Sequence, residues 1–87
     1  MKLFVIILAL QRWCSNDYRI HGLWLDNHDG SFPSHCSDTP FDIKQTNNDM
    51  YDKWYNCNND KTVSLWKHEW DKHGTCFEKN FNYTQKE

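Results

Sequence analysis

An α+β fold, with strands near the N-terminus and helices after them, is the architecture that this 87-residue sequence predicts. Three observations point to it. Residues 3–10 form an apolar run, Tyr18-Arg19-Ile20-His21 reads as a short strand, and the stretches 41–56 and 64–74 carry side chains at helical spacing. The length allows one domain, in the size range where a small core needs covalent help, and four cysteines can give that help.

The first element has two readings. Lys2 followed by Leu3 to Leu10 has the charge and apolar length of a secretory signal peptide, although Gln11-Arg12-Trp13 follows where small residues would mark a cleavage site. The run is far too short to span a membrane, and the rival reading is a buried first strand that includes Leu8-Ala9-Leu10-Gln11-x-Trp13. Tyr18 to His21 then delivers His21, with Gly22 permitting a turn, and Asp26 to Pro33 reads as a polar loop. Thr39-Pro40 offers a helix start. Ile43, Met50 and Trp54, flanked by Tyr51 and Tyr55, make an apolar helical stripe, which the polar Thr46-Asn47-Asn48-Asp49 divides into two short helices. After a loop holding Cys57, Ser64 is the expected cap of the last helix and Gly74 its left-handed end.

With a formal net charge of −2 the chain has no global positive field to gather nucleic acid, so any such contact must be local. Five tryptophans, four tyrosines and five phenylalanines suit both packing and base stacking. An even cysteine count and the sequon Asn82-Tyr83-Thr84 point to an oxidising, glycosylating route. Four cysteines permit three pairings, and spacing alone does not choose among them. A Cys/His zinc module is the rival use of these residues, but the chain has no C-x-x-C pair.

Chemistry concentrates in His68-Glu69-Trp70-Asp71-Lys72-His73-Gly74-Thr75-Cys76. On a helix at about 100° per residue, His68, Lys72, Glu69 and His73 share one arc of roughly 140°. Trp66 and Trp70 border that arc, while Lys67 and Asp71 point away. Two imidazoles, a carboxylate and an ammonium on one face are equipment for acid–base work on a phosphate. Taken alone, the stretch also fits a solvated charged helix. It does not fit a zincin motif, because His68 and His73 are five apart where that motif needs four.

A second block upstream changes the balance: Ile20-His21-Gly22-Leu23-Trp24, with Asp26, Gly30, Phe32 and Cys36 following. With these two blocks in this order the chain resembles the ribonuclease T2 family of secreted acid ribonucleases. The family's blocks read I-H-G-L-W-P and H-E-W-x-K-H-G-T-C, and this sequence departs from them at Leu25, which stands where the proline is usual. The resemblance implies an endoribonuclease that cuts single-stranded RNA through a 2′,3′-cyclic phosphate. In it His73 is the base, His21 the acid, Lys72 neutralises the phosphorane and Glu69 orients the reacting groups. His68 would hold the phosphate, Trp24 and Phe32 would stack on a base, and Asp26 would contact its edge. Leu25 in place of proline is expected to loosen the loop after Trp24.

The same resemblance implies disulfides Cys36 with Cys76 and Cys14 with Cys57, each loop of about 40 residues being worth roughly 4 kcal/mol. It implies no cofactor and no metal, a monomer, and a secreted or lysosomal/vacuolar location. It covers residues 8–78, which correspond to the front part of a family domain, with helices packed on an incomplete antiparallel sheet. Residues 11–87 are therefore expected to be a partial domain of a fragment or of an incorrectly spliced product. The alternative reading is an inactive secreted fragment that at most binds RNA or a partner.

Overall fold

A computed structural model describes residues 4–12, 14 and 18–86. Strands β1 (Phe4–Gln11) and β2 (Arg19–Asn27) pair antiparallel as a two-stranded sheet, so the apolar run forms a strand over its described residues. The Lys2 charge, Leu3 and Trp13 of the signal-peptide reading lie outside them. β2 is longer than the sequence suggests. Gly22 begins no turn, because pairing with β1 carries the extended backbone through to Asn27.

The ladder has one irregularity. Ala9 faces Gly22 and Leu10 faces Ile20, which leaves His21 as the extra residue of a bulge.

Leu25 sits inside β2 opposite Ile6, not in a loop, and is 1% exposed. In place of a proline this position carries an aliphatic side chain that packs with Cys76, Phe77, Phe4 and Cys36 as the centre of the core. The expected loosening after Trp24 is therefore absent.

The segment after β2 is tied down by its neighbours. The His35 amide donates to the Lys72 carbonyl at 2.9 Å, and the Cys36 amide donates to Thr75 Oγ1 at 3.0 Å. Disulfides join Cys36 to Cys76 and Cys14 to Cys57. No helix begins at Thr39-Pro40, because the Thr39 hydroxyl is taken by Glu78 and its carbonyl accepts the Trp70 indole N–H. The capping falls instead to Asp42, before a 3₁₀ turn (Ile43–Gln45), and to Asn47, before α1 (Asn48–Lys53). The polar break thus yields two short elements.

A second 3₁₀ turn (Asn59–Lys61) feeds directly into α2 (Thr62–Glu69), so Ser64 lies within the helix and caps nothing. Gly74 does not end it. A turn of π-helix (Trp70–Gly74) runs on into α3 (Thr75–Phe81), and the left-handed cap is Asn82 at φ 58°. Gly74 has an ordinary φ of −61°. A β-carbon there would overlap the Trp70 ring, so this glycine serves close packing. The four described tryptophans each donate their indole N–H, Trp54 to the His21 carbonyl and Trp66 to the Trp54 carbonyl among them.

Val5, Ile6, Leu8, Leu10 and Leu23 of the sheet remain exposed. Among the described residues no helix is long and apolar enough to cross a membrane.

Candidate active site

Glu69, at the last turn of α2, is 4% exposed. A carboxylate taken out of water costs several kcal/mol unless charge or hydrogen bonds replace the lost hydration, so its partners define the site. His21 Nε2 lies 3.0 Å from Glu69 Oε1, and Trp24 Nε1 donates to Oε2 at 3.1 Å. His73 Nε2 stands 3.8 Å from Oε2. Two imidazoles from distant parts of the sequence therefore flank one buried carboxylate.

The bulge explains how one strand supplies two of these groups. Residues three apart on a regular strand point to opposite faces. The extra residue at His21 breaks that alternation, and His21 and Trp24 reach the same carboxylate. Gly22 between them makes the approach possible, since a β-carbon there would sit 2.5 Å from Glu69 Oε2 and 2.9 Å from Trp24 Nε1. The Trp54 indole donates to the His21 carbonyl at 2.9 Å and fixes the backbone of the bulge. On the helix, Glu69 and His73 are one turn apart, and the wider π turn begins between them. Such turns recur at functional sites because they insert a residue without breaking the helix.

His73 is 6% exposed, and its Nδ1 is buried with no hydrogen-bond partner among the described residues. Burial pushes its pKa down from 6.5 to about 4, aided by the charges of Lys72, His68, His21 and His35. Its ring stacks on Trp24 at 5.0 Å and 25°, while His21 meets the same indole edge-on at 5.6 Å. His73 is thus held as a neutral imidazole in mildly acidic water.

The other sequence-predicted residues surround this centre less closely. Lys72 is half-buried, with Nζ 5.9 Å from the centre of the exposed Phe32 ring. His68 is exposed, and among the described residues no hydrogen bond or ion pair joins it to the site. Asp26 is half-buried near the end of β2 opposite Val5. Three contributors escaped the sequence reading. His35 adds charge near His73 and ties its backbone to Lys72, Trp54 anchors His21, and Gly22 is a contact surface for Glu69. Trp54 was visible only as part of an apolar stripe, and no local signal marked the other two roles.

All four cysteines are oxidised, which leaves no thiolate for the zinc-module reading. No group of three or more His, Cys, Asp or Glu side chains among the described residues is arranged to hold a metal ion.

A buried carboxylate flanked by two histidines is thus carried on a strand and a helix of a disulfide-linked α+β unit. The chain belongs to the ribonuclease T2 family, whose sequence profile matches residues 8–87. It is 41% identical over 68 residues to extracellular ribonuclease LE of Solanum lycopersicum, a match covering 71% of this chain and 30% of that protein. A ribonuclease T2 protein of Caenorhabditis elegans is 46% identical over 65 residues, covering 68% and 23% respectively. The fold is similar to a crystal structure of a ribonuclease MC1 mutant, with a TM-score of 0.65 and 33% identity over 79% of this chain and 37% of that one. RNase NT in complex with 5′-AMP matches at a TM-score of 0.59 and 35% identity, over 71% and 34%. The chain spans less than a third of the length of the two sequence relatives.

Proposed function

We propose that this site belongs to an endoribonuclease that cleaves single-stranded RNA through a 2′,3′-cyclic phosphate. The observation that carries the reading is the shared carboxylate: His21 and His73 reach Glu69 from different elements at 3.0 and 3.8 Å. Cleavage without a metal needs one group to take the 2′-hydroxyl proton and another to protonate the departing 5′-oxygen. His73, kept neutral by burial, is the base. His21, which is 32% exposed and ion-pairs with Glu69 when charged, is the acid. Their roles exchange when water opens the cyclic phosphate.

Lys72 neutralises the charge of the phosphorane and His68 holds the phosphate, while Glu69 keeps the two imidazoles in register. Phe32 stacks on a base, Trp24 offers the ring face that His73 leaves free, and Asp26 contacts the base edge. The family relative captured with 5′-AMP supports a nucleotide in such a site. No cofactor is required by this chemistry. The protein works as a monomer, secreted or in a lysosomal or vacuolar compartment. Its two disulfides and the exposed sequon residue Asn82 support that route.

Mass spectrometry of an oligoribonucleotide digested by the oxidised chain in EDTA tests the proposal. Cyclic phosphate ends are the expected products. Cleavage of the 2′-deoxy oligonucleotide, or cleavage that needs added metal, refutes it.

A further inference from the structure

We infer that Trp24 is a positioning residue for the acid–base pair: its indole N–H anchors Glu69 and its ring face holds His73, apart from any contact with a base. The inference rests on the ribonuclease reading of the site but concerns a different job for this side chain. Three contacts carry it. Nε1 donates to Glu69 Oε2 at 3.1 Å, the ring stacks on His73 at 5.0 Å, and its edge meets His21 at 5.6 Å. One indole therefore touches both histidines proposed to move protons and the carboxylate proposed to hold them.

The N–H contact matters most because of geometry at Oε2. That oxygen faces both Trp24 Nε1 and His73 Nε2, and the His73 contact, at 3.8 Å, is too long for a hydrogen bond. With the indole donor in place, Glu69 is directed through Oε1 to His21. Without it, Oε2 is free to accept a proton-bearing His73 Nε2, and a smaller ring also uncovers that imidazole. Both changes favour the charged form of His73. The groups facing His73 are Glu69, Lys72 and His68 from its own helix, His21 from β2, and His35 from the segment after it. Burial is the first cause of the lowered His73 pKa, and Glu69 Oε2 is the carboxylate oxygen that stands nearest its Nε2, so a shift of either the covering ring or this oxygen changes how the imidazole titrates.

Trp24→Phe keeps an aromatic ring and removes the donor. Its kcat on a dinucleotide should fall about tenfold. The acid limb of the rate profile and the NMR titration of His73 should both move to higher pH, by about one unit. The double variant with Glu69→Gln should lose little beyond the worse single variant, since both remove one contact. Independent losses, or an unmoved His73 titration with weakened 5′-AMP binding, would overturn the inference in favour of a base platform alone. If Trp24→Phe does not fold, the unmodified chain still decides. Its Trp24 indole N–H resonance should shift in step with the His73 ring signal between about pH 3 and 6, and a flat resonance refutes the contact. These NMR readouts need no turnover, so they remain decisive even if the chain proves unable to cleave RNA.

Discussion

Gly22→Ala probes how closely the strand must approach the buried carboxylate. The added methyl would lie 2.5 Å from Glu69 Oε2 and 2.9 Å from its Cδ, so the carboxylate must retreat by about 1 Å to reach ordinary contact. Glu69 is 4% exposed and held by His21 and Trp24, so it has no solvent to swing into and must give up those contacts. Overpacking of this kind costs about 1–3 kcal/mol of stability. A displacement near 1 Å at a reacting centre costs on the order of 100-fold in rate. The expected result is a folded variant whose kcat/KM on a dinucleotide falls by about two orders of magnitude. Thermal unfolding followed by circular dichroism, beside initial rates, separates the two effects. Activity within about threefold of the unmodified chain would refute the argument that Glu69 is confined against this glycine.

Acidification should destabilise the fold through His73. Its pKa falls from 6.5 to about 4 on folding, so this contribution is complete above 6.5 and is lost as pH drops toward 4. The loss is about 3 kcal/mol, which urea unfolding at the two pH values should show in the unmodified chain and not in His73→Asn. Leu25→Ala should cost about 2–5 kcal/mol by emptying the centre of the core, read as a lower urea midpoint. Replacing Cys36 and Cys76 together by alanine removes a crosslink across a separation of 40 residues. By chain entropy that costs about 4 kcal/mol, and a loss under about 1 kcal/mol in the same assay would contradict it.

Local pattern carried the element types well where one segment makes its own case. The polar interruption at Thr46–Asp49 separates two short helical elements because Asn47 caps the second of them. Local pattern failed where a distant group claimed the capping side chain or the backbone. Thr39 starts no helix because Glu78 holds its hydroxyl, and Gly74 ends none because it lies against Trp70 in a helix that continues. The strand signal at Tyr18–His21 understated β2, because its later residues become extended through partners in β1 that no local window contains.

By itself, the sequence determined which chemical groups this protein possesses: two imidazoles, a carboxylate and an ammonium in two blocks, with cysteines beside them. It left three disulfide pairings open to spacing alone. Only the tertiary structure decided that the imidazoles share one carboxylate, that Trp24 bonds to it, and that His73 is buried enough to stay neutral. The reason is physical. Side-chain identity is local, whereas the register skip at His21 arises from pairing with β1, and the desolvation arises when a strand and a helix more than forty residues apart pack together.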